Sequence, residues 1–402
     1  MLPRRIPGKT RGKERAGTHM RVNPDCRHFP GDRPCRFHKQ SGIQCRGCPH
    51  FSPTGFRVLI IKLDALGDVL RTTCLLPSLL RRYPDCHITW FTAREAAAVL
   101  ENNSLIDETL FLDAEGLARL QVERFDLILN PDASKKSAAL ATLAEGRTKR
   151  GYTLDETGQV RPANPESVEW LEMGGSDDRK RANRRTYQDH LHRICGLEPD
   201  GQQIILRLTD SERSFAMELA RVRHLEGETV IGLNTGASLR WPRKRWPKES
   251  YRDLILRLRG ETDWRVLLLG GASERETNHW LNAMSYGWAV DPGGDHSLRE
   301  YFALVDLCDV VVTGDTLGLH AALGLGKKVV ALFGPTSSWE IDLYGSGVAI
   351  VPELDCVCCY RGDCGKTPGC MDLIEPVEVH EALEGLLARG EKTEEVPACA
   401  TT

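Results

Sequence analysis

Apolar residues in this chain come in short continuous runs, each followed by a stretch in which apolar positions recur every three or four residues. "RVLIIKL" (57–63) reads as a strand, "GDVLRTTCLLPSLLRRYP" (67–84) as an amphipathic helix stopped by Pro84, and "CHITWFTA" as the next strand. "REAAAVLENN" has helical periodicity, "ETLFLD" and "FDLILNPD" read as strands, and "SKKSAALATLAEG" as a further helix. Short unbroken apolar runs bounded by turn residues mark strands covered on both faces, as in parallel sheets. Their alternation with helices implies right-handed crossovers. Residues 155–200 break the rhythm with a polar insertion rich in Arg, Asn and Gly.

The rhythm restarts with "TVIGLNTGAS", then the helix "PKESYRDLILRLRGE" and the strand "WRVLLLGG". It continues through "LREYFALVDLC", "DVVVTGD", "LGLHAALGLG" and "KVVALFG". Two α/β series meeting near residue 200 predict two Rossmann-like domains facing a cleft. Neither has G-x-G-x-x-G after its first strand, which disfavours a nicotinamide enzyme.

Composition narrows the class. The 402 residues suffice for two ordinary domains, and 41% hydrophobic with 27% charged residues suits a globular chain. No apolar run approaches the roughly 18 to 20 residues that span a bilayer. The basic first twenty residues lack the apolar core of a secretory signal, so a disordered tail is expected over 1–20 and a cytoplasmic location for the whole. The net charge of −3 is uneven: residues 1–50 carry +9, leaving −12 for the rest. A basic arm suits an anionic surface. With no aromatic reading surface beside it, nucleic acid is set aside, and a solvated tail or peripheral contact with the inner membrane is expected.

Of 14 cysteines, Cys26, Cys35, Cys45 and Cys48 crowd one segment (21–55), with His28, His38 and His50 between them. In a reducing compartment such a cluster favours metal over disulfides. Four thiolates with one C-x2-C arm suit tetrahedral zinc, which would also staple a segment poor in apolar residues. An iron–sulfur cluster takes the same ligands. Cys356, Cys359, Cys364 and Cys370 form a weaker second set: another structural site, or free thiols. Neither set has the look of a catalytic metal centre. Cys74, Cys86, Cys195, Cys308 and Cys399 are scattered and read mostly as small hydrophobes.

The candidate chemistry sits after strands. "KLDALGDVL" (62–70) places Asp64 and Asp68 at the carboxyl end of the first strand, where open α/β sheets carry their sites; either could instead cap the following helix. "NTGASLRWPRKRWPKE" (234–249) joins small residues to Arg240, Arg243, Lys244, Arg245 and Lys248, a complement to phosphate oxygens. "TGDTLGLHAALGLG" (313–326) makes a glycine turn into a helix carrying His320, and "LFGPTS" (332–337) makes a third turn. Three strand ends of one lobe converge on a nucleoside diphosphate.

"RVLIIKLDALGDVLRTT", "GLNTGAS…KRWP", "VVTGDTLGLHAALGLGKKVVALFGPTS" and "CVCCYRGDCGKTPGCMDLIEPVEV", in this order, resemble the heptosyltransferase-like glycosyltransferases of family 9. The resemblance spans roughly residues 56–390. It implies a GT-B fold with the acceptor held by residues 56–200 and the nucleotide-sugar by 201–390, preceded by the Cys-rich extension and followed by a flexible tail over 391–402. It further implies inverting transfer that needs no metal, from a donor such as ADP-heptose to a lipopolysaccharide-core-like glycolipid or other glycan. By the same resemblance, Asp68 is the general base and Lys244 meets the donor diphosphate. Asp315, Thr316, Gly318 and His320 contact the donor, as do Thr235 and Ser238 in the preceding loop, and Glu274, with Glu276 as the alternative, holds the ribose or base. Asp64, Arg71, Asp132, Lys135 and Lys136 fall on the acceptor side, and the basic stretch 179–193 is a further candidate there. The chain departs from the family pattern at Leu317, where a glycine is usual, and at Arg71, where a histidine is common. Extra residues also separate Ser238 from Lys244.

Two other functions fit the same motifs. A GT-B nucleotide-sugar epimerase would turn over donor without an acceptor, and a non-catalytic sensor would bind donor without turnover.

Overall fold

Every residue of the first apolar run is needed to cover two faces of one sheet. The computed structural model describes residues 22–238 and 240–391, so the basic tail expected over 1–20 and positions 392–402 of the expected C-terminal tail lie outside the described residues. Strand β1 (Arg57–Ile61) pairs in parallel with β2 (His87–Thr92) and β4 (Arg124–Asn130). Val58 and Ile60 enter one apolar cluster while Leu59 and Ile61 enter another. Alternate side chains point to opposite faces of a strand, which is why the run is continuous. With β3 (Glu108–Phe111), β5 (Glu145–Leu154) and β6 (Val160–Pro162), the sheet order is β3-β2-β1-β4-β5-β6, with only β6 antiparallel to its neighbour.

The second series repeats the plan in parallel strands. Strands β7 (Val230–Asn234), β8 (Arg265–Leu269), β9 (Ala289–Val290), β10 (Val310–Gly314), β11 (Lys328–Leu332) and β12 (Gly347–Ile350) take the order β12-β11-β10-β7-β8-β9. One apolar cluster contains Val58 and Ile60 from the first sheet together with Val311 and Val329 from the second. The two lobes therefore share a core.

Two local expectations differ from what forms. The helix expected over 67–84 is two helices, Leu66–Thr72 and Leu75–Arg82. Pro77 has no N–H to offer the Thr73 carbonyl, and its ring crowds that group, so the break falls there. "EGRTKRGYTL", too polar to read as a strand, is β5 and forms the last parallel member of its sheet. The polar insertion 155–200 is itself folded. It supplies β6 and the helices Val168–Gly174, Asp177–Ala182 and Tyr187–Cys195. The last is capped by the Thr186 side chain and ended by Gly196 at φ 68°, and it buries Tyr187, Leu191, Ile194 and Cys195. Those positions follow a helical spacing that flanking charges obscured.

The chain divides after Gly55 into a small unit and the two-sheet unit. No described residue of the small unit is fully buried. Its two ends pair through Arg27 N–H to the Ser52 carbonyl (2.9 Å) and Thr54 N–H to the Asp25 carbonyl (2.6 Å). Phe37, on the helix Arg36–Ser41, stacks on His50 at 3.9 Å and meets His28 edge-on. Among the described residues no helix is long and apolar enough to cross a membrane.

Candidate active site

In each sheet the first strand lies beside the fourth, so crossovers leave in opposite directions between β1 and β4 and between β7 and β10. Such switch points open a crevice at the carboxyl ends of the strands. A cavity of about 800 Å³ lies there, with Asp68 and Arg71 from the first lobe facing Lys244, Asp315 and Thr316 from the second.

Asp68 lies in the first turn of the helix Leu66–Thr72, whose N-cap is Ala65 without a side-chain cap bond. Neither Asp64 nor Asp68 caps the helix. Arg71 donates from Nη2 (2.7 Å) and Nε (3.0 Å) to the same carboxylate oxygen, Oδ1. Oδ2 thus has no hydrogen bond from a described residue. Burial alone would raise the Asp68 pKa, but Arg71, Lys62 and His320 together hold it well below the usual carboxylate range. Arg71 lies 3.6 Å over the ring of Tyr187, the first residue of the last insertion helix. Lys62, buried directly after β1, sits 3.4 Å from Asp132 at the end of β4. Burial raises the Asp132 pKa against the pull of Lys62.

In the second lobe, Lys244 Nζ lies 2.5 Å from Asp315 Oδ2 and 3.1 Å from the Asp315 carbonyl. Burial favours the neutral acid, yet Lys244, His320 and Arg71 hold the Asp315 pKa low. Thr316 caps the helix Leu317–Gly324, its hydroxyl accepting from Gly318 N–H at 3.2 Å. Asn234 Nδ2 donates to the hydroxyls of Thr313 (2.9 Å) and Thr316 (3.0 Å), while Tyr301 donates to Asn234 Oδ1. Gly318 must be glycine for this network to close: a Cβ there would lie 2.7 Å from the Tyr301 hydroxyl and 2.8 Å from Asn234 Nδ2. Gly318, one position after Leu317, therefore has a packing role of its own.

His320 is buried, and its Nδ1 has no hydrogen-bond partner among the described residues. Burial, with Arg71 nearby, lowers its pKa to about 4, so it is neutral at pH 7. Gly67 makes room for it, since a Cβ at Gly67 would sit 2.8 Å from His320 Cδ2. Farther along the cavity, the Glu274 carboxylate accepts from Gly271 N–H (3.0 Å) and stands 3.7 Å from Arg245.

The expected residues divide sharply. Asp68, Arg71, Ser238, Lys244, Glu274, Asp315, Thr316, Gly318 and His320 line the cavity. Thr235 does not: it is buried and donates to Asn278 Oδ1 at 2.6 Å. Asp64, Asp132, Lys135 and Lys136 also lie off the cavity lining. Asp64 is exposed and pairs with Lys136 at 3.7 Å rather than orienting Arg71, a task that falls to Asp68. Of the five bases in 240–248 only Arg240 and Lys244 line the cavity. Arg243 reaches the Cys364 carbonyl, and Lys248 lies over the Trp280 ring. Within 179–193, Lys180 and Arg181 pair with Asp177 and Asp178, and Arg185 with Glu169.

The cysteine sets are not gathered. Among the described residues no three His, Cys, Asp or Glu side chains could hold a metal ion. Cys26, Cys35, Cys45, Cys48, Cys356, Cys359, Cys364 and Cys370 are all free and partly buried. Cys26 forms a backbone bridge with Pro53, and Cys35 is the N-cap of the helix Arg36–Ser41.

Sequence reasoning missed Lys62, Tyr187, Asn234, Tyr301, Glu340 and Tyr360. Lys62 was visible as the first charge after an apolar run. Glu340 and Tyr360 come from irregular chain with no periodic signal. Their side chains meet at 2.6 Å on the cavity wall, where burial raises the Glu340 pKa.

Against known proteins, the model for "glycosyltransferase family 9 (heptosyltransferase)" matches residues 117–365. Lipopolysaccharide heptosyltransferase 2 of Salmonella typhimurium is 33% identical over 112 residues, which is 27% of this chain and 32% of that protein. The match to the Escherichia coli protein of the same name spans 38% of its length. Lipooligosaccharide heptosyltransferase 2 of Haemophilus influenzae is 24% identical over 307 residues, 70% of this chain and 84% of that one. Among solved structures, E. coli ADP-heptose lipopolysaccharide heptosyltransferase II superposes with a TM-score of 0.61 at 22% identity, covering 84% of this chain and 100% of that one. A family 9 glycosyl transferase from Veillonella parvula gives 0.62 at 20% identity, covering 83% and 97%. The fold is GT-B.

Proposed function

The chain belongs to glycosyltransferase family 9, and from that premise we propose that it is an inverting transferase moving heptose from ADP-heptose to a hydroxyl of a lipopolysaccharide-core-like glycolipid. The observation that carries this reading is the convergence in one cavity of a carboxylate with a free oxygen, Asp68, and a lysine held by a buried acid, Lys244 with Asp315. The names of related proteins, lipopolysaccharide and lipooligosaccharide heptosyltransferases, support the substrate class.

In this reading residues 201–390 hold the donor and 56–200 the acceptor. The diphosphate takes Lys244 as a shared cation and the N-terminus of the helix Leu317–Gly324 as a source of N–H groups. The acceptor hydroxyl gives its proton to Asp68 Oδ2 as its oxygen bonds to the anomeric carbon. The bond from that carbon to the diphosphate breaks on the opposite face, and its electron pair leaves with the phosphate. An acid held this far below its usual pKa is a weak base but an always ionised one. It serves because the attacking hydroxyl becomes strongly acidic only as the new bond forms. Lys244 and Arg71 supply fixed positive charge, so the transfer calls for no metal.

A thermal-shift panel tests the proposal. A ligand selective for the folded state raises the midpoint, by a few degrees at about a hundred times its Kd. ADP and ADP-heptose should shift the protein while UDP-sugars should not. Equal silence for all of them would contradict the reading, and ADP release without any acceptor would favour the epimerase class.

A further inference from the structure

Glu340 stands where the two lobes exchange a bond. Its carbonyl accepts from Tyr187 N–H at 2.9 Å, and the Tyr187 ring carries Arg71, which grips Asp68. Its carboxylate is fixed at one oxygen only, Oε1, by the Tyr360 hydroxyl at 2.6 Å. Tyr360 is itself docked from the cysteine-rich loop, its N–H donating to the Pro335 carbonyl (2.8 Å) and its ring facing Lys180 Nζ at 5.0 Å. Both side chains line the cavity. Oε2 is left without a hydrogen bond from any described residue.

The place in the cavity gives this acid a task. In the donor reading the Lys244–Asp315 pair marks the diphosphate, and Asp68 and Arg71 mark the reacting carbon. Its bond to Tyr187, whose ring carries Arg71, puts Glu340 beside that reacting end of the cavity. A carboxylate with one oxygen clamped and one open is a directed acceptor for sugar hydroxyls, and leaving such a group unpaired when the wrong sugar binds is costly. Resting on the donor reading above, we propose that Glu340, oriented by Tyr360, accepts hydrogen bonds from hydroxyls of the transferred sugar and so sets which sugar the site takes. The cysteine-rich loop thereby contributes to the sugar subsite through Tyr360.

Calorimetry with ADP and with ADP-heptose on the full chain separates this from a bracing role. Glu340→Ala should lose about tenfold or more in ADP-heptose affinity, the scale of a lost charge-assisted bond, with ADP affinity within about twofold of wild type. Glu340→Gln, which keeps an acceptor oxygen and the fold, should lose less. Tyr360→Phe should lower ADP-heptose affinity in the same direction, again sparing ADP. If these variants melt earlier while the ratio of ADP-heptose to ADP affinity stays at the wild-type value, Glu340 is only a brace and the proposal is overturned. A wild-type chain that fails to bind ADP overturns the donor reading and this proposal with it, an outcome visible before any variant is made.

Discussion

Replacing Lys244 by Ala removes a cation from a site that already holds a buried acid. Two costs follow, and they are separable. The first is to stability. Lys244 and Asp315 are about 15% exposed and 2.5 Å apart. Exposed pairs contribute at most about 1 kcal/mol, and breaking a fully buried one costs about 3 to 5, so this one should cost about 2 kcal/mol. Most of that is the stranded Asp315, whose pKa then rises because burial is no longer opposed by its main counter-charge. The second cost is to the ligand. A diphosphate loses a charge-assisted bond, about 1.5 to 3 kcal/mol, or roughly 10- to 150-fold in Kd, and also meets an unpaired carboxylate. Adding Asp315→Asn should restore most of the stability by removing the stranded charge, yet recover only the repulsive part of the affinity. Urea unfolding reads the first quantity and calorimetry with ADP the second. Unchanged ADP affinity in Lys244→Ala would refute the placement of the diphosphate.

Gly318→Ala should cost about 1 to 3 kcal/mol, the range for overpacking, because its Cβ would press on Tyr301 and Asn234. A melting midpoint equal to wild type would show that the Asn234 network is slack. His320 makes a pH prediction. Its folded pKa, about 4, lies below the ordinary 6.5, so between those values the unfolded chain binds more protons. Its contribution is therefore fully present above about pH 6.5 and is lost as pH falls toward 4, by at most about 3 kcal/mol. Urea unfolding at pH 7 and 4.5 should show a smaller acid loss in His320→Gln than in wild type, and equal losses would contradict it.

The sheets were legible because buried strands cannot disguise themselves: residues 58–61, 266–269 and 310–312 are apolar throughout, facing cores on both sides. The turns after them line the cavity; position placed candidates there, and the family resemblance singled out Asp68, Lys244 and Asp315 among them. What escaped has physical causes. β5 lines the edge of the parallel series with mostly polar, partly exposed residues, so its composition resembles loop. The helix Tyr187–Cys195 buries a real stripe behind Arg184, Arg185 and Arg193, whose charges dominated the reading. Thr235 shared the polarity of its neighbours but faces inward to Asn278, a distinction made by which side of β7 it leaves. Asp64 and Asp68 could not be told apart by type; the helix start at Leu66 turned one to solvent and the other to the cavity.

The most direct test of the central claim is Asp68→Asn, measured for turnover and for ADP-heptose affinity on the same preparation. Since Ala65 and not Asp68 occupies the N-cap, and Asn keeps an oxygen for Arg71, the fold should hold. Loss of the general base should lower kcat by roughly 10² to 10⁴-fold, while donor affinity stays within a few-fold because Lys244 and the Leu317–Gly324 helix are untouched. Near wild-type turnover with ADP-heptose and a lipopolysaccharide-core acceptor would contradict the account and remove Asp68 from the chemistry.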